Sequence, residues 1–177
     1  MTQVIVLNGD LSSGKSSIAR ALQNIVSTVW LTFGVDALIK ALPGRDHDPR
    51  SGLVFEADGS VTVKPKFRAV EGVWYAGPAF MAHNGVSLIL DAVLLVGGVG
   101  HRRLQAALNG LDLLWVGVHC DPDVAAAREI TRSDRVQDMA IAQAVAVHRD
   151  VTYDIEVDTT GSSPLECARR IAPHVTS

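Results

Sequence analysis

Cysteine is scarce in this 177-residue chain: Cys120 and Cys167 are the only two, far apart and without partners at metal-ligand spacing. That excludes a cysteine-rich zinc site and argues against a disulfide framework; both read as small buried apolar side chains. Blocks of Lys or Arg are missing too, and the net charge is −3. No nucleic-acid partner is expected from such a balance. No apolar run is long enough to cross a bilayer, so no membrane partner is expected. There is no linker, internal repeat or low-complexity segment. The chain enters a strand-like run almost at once, so no leader segment and a reducing, cytoplasmic setting are the expectations.

What is there is a globular composition, 47% apolar and 20% charged. It suits a single domain over residues 1–177 with a full core. Five short apolar runs read as buried strands: Val4–Leu7, Val29–Phe33, Val86–Leu90, Leu113–Val118 and Tyr153–Val157. Most are continuous rather than alternating, as in strands covered on both faces. Helical patterns lie between them, over Ser16–Val26, Arg68–His83, His101–Leu108, Pro122–Arg132 and Leu165–His174. In the first, Ile18, Leu22, Ile25 and Val26 share a face; in the second, Val70, Val73, Trp74 and Met81 are the apolar members. Asp121-Pro122 and Ser163-Pro164 are helix openings, a capping side chain followed by proline. The alternation predicts an α/β fold of three layers, a five-stranded parallel sheet with helices on both faces.

One region breaks the rhythm. Residues 43–66 are rich in Pro, Gly and Asp, and within them "LVFEADGSVTV" predicts a small hairpin turning at Asp58-Gly59. It reads either as an insertion that covers a substrate or as a surface excursion.

The first strand runs into "NGDLSSGKSS", and Gly9 to Ser16 fit G-x-x-x-x-G-K-[ST] at every position. Such a P-loop curls so that backbone N–H groups point at a phosphate, with the following helix aiming its positive end at the same place. Gly9, Asp10, Leu11, Ser12, Ser13, Gly14, Lys15, Ser16 and Ser17 are therefore the candidate nucleotide-binding residues. Lys15 adds a charge at the β and γ phosphates, and the Ser16 hydroxyl can ligate Mg²⁺. ATP and Mg²⁺ are the implied cofactors.

Other residues must say where the phosphoryl group goes. Asp91 ends "SLILD" and would sit beside the P-loop if its strand neighbours the first; there it orients the Mg²⁺ water shell, or else it caps a turn. Asp36 ends "WLTFGVD" and would accept a proton from an attacking hydroxyl, or cap the helix begun by "DALIKAL", or both. Arg128, Arg132 and Arg135 recur on one side of a segment that fits a lid over residues 128–140. Guanidinium groups there would neutralise charge in transfer and exclude water, or form a solvated face paired with Glu129 and Asp134. Phe33, Val35, Phe55, Trp74 and Phe80 are available as walls of an acceptor pocket, or as core. An acceptor other than an aryl alcohol, a sugar or metabolite alcohol, would draw on Arg45, Arg50 and Arg68. A non-catalytic nucleotide-binding protein would not need Asp36.

Beyond the P-loop, "FGVDALI", "FRAVEG", "LDAVLLVGG", "DLLWVGVHCD", "SDRVQDMA", "VH" at 147–148 and "YDIEVDTT" are shared with a known family. The chain resembles the chloramphenicol phosphotransferases over nearly its whole length. The resemblance implies a P-loop kinase sheet of strand order 2-3-1-4-5. It implies transfer of the γ-phosphoryl of ATP to a hydroxyl of a small molecule, chloramphenicol or a related antibiotic. Asp36 becomes the base, and Arg135 of "SDRV" acts on the phosphates. Two departures stand out. The family carries two consecutive aspartates where this chain has Asp91-Ala92, and Asp10 brings a negative charge into the P-loop. Its carboxylate is expected to point to solvent or to weaken nucleotide binding. Oligomeric state is left open.

Overall fold

The computed structural model describes residues 1–43, 50–55, 61–130 and 146–176, without the side chains of Phe55, Glu129 and Ile130. Five parallel strands form the main sheet: β1 (Val4–Asn8), β2 (Trp30–Gly34), β5 (Ser87–Ala92), β6 (Leu113–His119) and β7 (Ile155–Asp158). Their order across it is β2-β5-β1-β6-β7. Counted among these five alone, that is 2-3-1-4-5, the order the resemblance implied. A separate antiparallel hairpin pairs β3 (Leu53–Phe55) with β4 (Val61–Val63), as the sequence predicted; its Asp58-Gly59 turn lies outside the described residues.

β1 is buried along its whole length because consecutive side chains enter opposite layers. Ile5 and Leu7 meet helix α1 (Lys15–Ile25) and helix α6 (Pro164–Ile171) through Ile18, Leu22, Cys167 and Ile171. Val4 and Val6 meet the opposite layer, where helix α3 (Pro65–His83) and helix α4 (Gly98–Ala107) supply Ala79, Ala82 and Leu104. A third cluster joins Leu38 of helix α2 (Val35–Ala41), Leu53 of the hairpin and Phe67 of α3. Helix α5 (Pro122–Ile130) follows β6. Both predicted proline openings are real caps. Asp121 Oδ1 accepts from the Asp123 N–H at 2.9 Å. Ser163 and Glu166 form a reciprocal capping box.

One face differs from expectation, and one helix buries residues other than its larger apolar members. Ile25 is exposed rather than in the α1 core face. In α3 the buried positions are Phe67, Pro78, Ala79 and Ala82, while Val70 and Val73 are exposed. Small residues let that helix lie close on the sheet, so its larger apolar side chains turn outward. With Phe33 and Met81 they line an open apolar groove of about 640 Å³ on the outer side of α3. At the amino edge of the sheet, the Thr2 N–H donates to the Thr176 carbonyl at 3.0 Å and the two hydroxyls lie 2.9 Å apart. Among the described residues, no helix is long and apolar enough to cross a membrane.

Candidate active site

The site is built at the carboxyl edge of β1 and its neighbours, where strands of this fold class deliver their loops. Residues 9–14 link β1 to α1, and two glycines make the curl possible. A side chain at Gly9 would run into the Val118 carbonyl and stand 2.7 Å from Ser13 Oγ. Gly14 has φ 87°, the left-handed region that glycine favours. It caps α1 without any side-chain hydrogen bond, and the first turn of that helix holds no acidic residue. The first N–H groups of the helix are thus left for an anion.

Lys15 is buried at the mouth, 4% exposed. Its Nζ donates to the carbonyls of Asp10 at 2.6 Å and Gly9 at 3.2 Å. The same ammonium lies 3.5 Å from Asp91 Oδ1. Asp91 Oδ2 accepts from the Ser16 hydroxyl at 2.6 Å. β5 lies directly beside β1, with Leu7 opposite Asp91, so the carboxylate faces the P-loop as expected. A hydroxyl and a carboxylate side by side next to an ammonium fit a magnesium-bound triphosphate: hard oxygen donors for the ion, a cation for the phosphates.

Asp10 decides between the two outcomes expected of it. It does not reach solvent: the residue is 2% exposed, and among the described residues neither carboxylate oxygen has a hydrogen-bond partner of good geometry. Burial pushes its pKa up, opposed by the Lys15 charge and the nearby Ser13 groups. The raised folded pKa favours the protonated form, so Asp10 costs progressively more stability as pH climbs above the ordinary aspartate value of 3.8. Asp10→Asn is therefore expected to melt higher than the parent chain at pH 7, with the gap shrinking toward pH 4. Nucleotide affinity should rise in the same variant. Melting curves at the two pH values and titration with MgATP check both.

Asp36 is half-buried in the first turn of α2. Gly34, not Asp36, is the cap of that helix. Gly34 stands opposite Asp91 in the parallel register, so Asp36 begins two residues past the neighbour of the magnesium-side carboxylate. Its helix neighbours Val35 and Ile39, though not Asp36 itself, help to line a narrow cleft of about 50 Å³. Leu11 of the P-loop, Val35 and Ile39 of α2, Leu53 and Val63 of the hairpin, and Val93 beyond β5 line it. Its charged members are Arg68 and Glu71, joined at 2.7 Å. Of the wall candidates only Val35 is found here; Phe33 and Trp74 line the outer groove, Phe80 is 70% exposed, and the Phe55 side chain is outside the described residues.

On the other flank Arg128 is a fixed bracket. Its Nη2 donates to the Thr159 carbonyl at 2.7 Å and its Nη1 to Thr159 Oγ1 at 3.1 Å. Thr159 Oγ1 donates to the Ser13 carbonyl at 2.8 Å. This clamp between the P-loop and the loop after β7 was not legible in "DTTGSS", because Thr and Ser fill most loops. Arg132, Arg135 and most of the 128–140 segment lie outside the described residues. The cysteines are both free, Cys167 buried and Cys120 half-buried beside Arg128.

The sequence model of the chloramphenicol phosphotransferase-like proteins matches residues 2–176. The chain belongs to that family. In two strains of Mycobacterium tuberculosis, a protein with the provisional name O-phosphotransferase is 32% identical over 185 residues, covering 96% of this chain and 80% of its own length. Among solved structures, a sugar kinase from Janibacter superposes with TM-score 0.69 at 16% identity, covering 100% of this chain and 99% of its own. The tunicamycin resistance protein of Deinococcus radiodurans gives 0.65 at 20% identity, covering 99% and 96%. Shikimate kinase from Acinetobacter baumannii gives 0.63 at 13%, covering 99% and 93%. These likenesses establish that this member of the phosphotransferase-like family has the P-loop kinase fold.

Proposed function

We propose that the protein transfers the γ-phosphoryl group of ATP to a hydroxyl of a small molecule, with chloramphenicol or a related antibiotic as the leading acceptor. Phosphotransfer to a small molecule follows from the family; the nucleotide, the metal and the acceptor are the finer part of the proposal. The observation that carries it is Asp91 set between Lys15 and Ser16 at the P-loop, with Asp36 only two residues past Gly34, the register neighbour of Asp91. A nucleotide-binding protein without chemistry has no need of that second carboxylate.

In this reading Gly9 to Ser17 cradle the phosphates, and Lys15 leaves its carbonyl partners to meet them. Ser16 and Asp91 would hold Mg²⁺, which draws off negative charge from the β and γ phosphates. Asp36 orients the acceptor hydroxyl and takes its proton late, as the bond to phosphorus forms. Arg128 steadies the nucleotide end of the loop, and Arg132 and Arg135 neutralise charge on the transferring group. The cleft wall is apolar apart from the Arg68–Glu71 pair, which favours an apolar alcohol over a sugar. At about 50 Å³ the cleft is smaller than an aryl alcohol, so the hairpin of β3 and β4 has to shift as the acceptor enters. Residues 43–66 then act as the acceptor cover.

Incubation with MgATP and chloramphenicol, followed by mass measurement of the product, tests this directly. One added phosphoryl group is the expected result. Phosphorylation of sugars in preference to chloramphenicol would move the assignment to a metabolite kinase. Absence of ATP consumption with every alcohol would leave only a binding protein.

A further inference from the structure

Asn8 closes the apolar strand β1 with a polar, fully buried side chain, one residue before the P-loop begins. Its amide is held from two sides by backbone groups that fix its orientation. The Leu94 N–H donates to Oδ1 at 3.0 Å, and Nδ2 donates to the Val147 carbonyl at 2.8 Å. An N–H can only donate and a carbonyl only accept, so oxygen and nitrogen cannot be exchanged. Nδ2 spends its second hydrogen on the Tyr153 hydroxyl oxygen at 2.6 Å. His148 Nδ1 lies 2.7 Å from the same hydroxyl oxygen.

The Tyr153 oxygen could accept from a second donor, so the other partner of His148 decides: its hydrogen bond to the Val118 backbone puts the ring proton on the nitrogen away from Tyr153. His148 accepts at Nδ1 and carries its proton on Nε2. The surroundings agree: burial and the His119 ring, stacked at 4.1 Å, hold His148 down to about 4, helped by the Lys15 charge and opposed by Glu156 and the Val118 backbone. Glu156 itself pairs with His119 Nε2 at 2.6 Å. The chain of contacts ends on catalytic ground. Asn8 precedes Gly9, whose carbonyl holds Lys15 Nζ, and the Val118 carbonyl that borders His148 is the atom against which Gly9 is pressed.

We propose that Asn8, Tyr153 and His148 form a positioning relay that fixes the start of the P-loop, and through Gly9 the ammonium of Lys15, against the segments at Leu94 and Val147. The relay rests on the phosphate-loop reading but assigns residues that reading does not use. None of the three need touch the phosphates; they act through Gly9 and Lys15. Displacement of a charged group by about 1 Å costs roughly 100-fold in rate, which sets the scale of effect to look for.

Three measurements on the full chain test it. Nitrogen-15 NMR of His148 in the unmodified protein should show the Nε2–H form with an unprotonated Nδ1 throughout pH 5–8. Tyr153→Phe and His148→Ala should each lower kcat about 10- to 100-fold and weaken MgATP binding measured by calorimetry. His148→Asn, which puts an acceptor oxygen where Nδ1 stood, should recover kcat to within about threefold. A proton on Nδ1, unchanged kinetics and MgATP affinity in Tyr153→Phe and His148→Ala, or a His148→Asn variant as impaired as His148→Ala would each overturn the relay. If no alcohol is phosphorylated by the unmodified chain, the proposed function fails, while MgATP affinity and the NMR tautomer still decide this proposal.

Discussion

Asp36→Asn is expected to lower kcat by about 10²- to 10⁴-fold, the range a positioned general base contributes. MgATP affinity should stay within about twofold, because Asp36 belongs to α2 rather than to the phosphate loop. The substitution is nearly isosteric and sits in a first turn already capped by Gly34, so the fold should survive it. An asparagine can still orient a hydroxyl but cannot take its proton. Turnover and calorimetric binding measured side by side separate the two roles. Undiminished turnover would remove Asp36 from the mechanism and, with it, the observation that distinguishes an enzyme from a nucleotide binder.

Lys15→Ala should act on both quantities. The ammonium is the buried cation among the Gly9 and Asp10 carbonyls and the Asp91 carboxylate. Removing it leaves two buried or half-buried carboxylates, Asp10 and Asp91, without their nearest positive charge. Loss of a preorganised charge at the transferring group costs about 10²- to 10³-fold in kcat/KM. MgATP binding should fall alongside, and so should the melting temperature at pH 7, since one partner of a buried pair has gone. Arginine is not expected to rescue the site: its planar fork does not fit a pocket shaped for three acceptors around one nitrogen. Loss of turnover in both variants, with binding lost only in the Lys15 one, is the pattern that supports both roles.

Much of this was readable from residue order. Continuous apolar runs such as Val4–Leu7 announced strands buried on both faces, and the P-loop spacing located the phosphate end of the sheet. Asp91 followed from a strand neighbouring β1, because only that placement brings it to Ser16. Less legible were facts set by contacts distant in sequence. Residue order left open whether Asp10 faces water; the curl of residues 9–14 encloses it. Val70 and Val73 are among the larger apolar members of α3, but Ala79 and Ala82 fit the sheet more closely and turned those side chains outward. Asn8 gave a faint signal, a polar residue ending an apolar run; its partners at 94, 147 and 153 emerge only once the sheet is assembled.

The pairing of Thr2 with Thr176 has a practical corollary. Both ends of the described chain emerge side by side from the edge of the sheet opposite the phosphate loop. A surface tether or reporter domain attached at either one leaves the catalytic mouth unobstructed. Joining them through a few flexible residues, and reopening the polypeptide at an exposed bend such as Asn109-Gly110, is a natural route to circularly permuted forms.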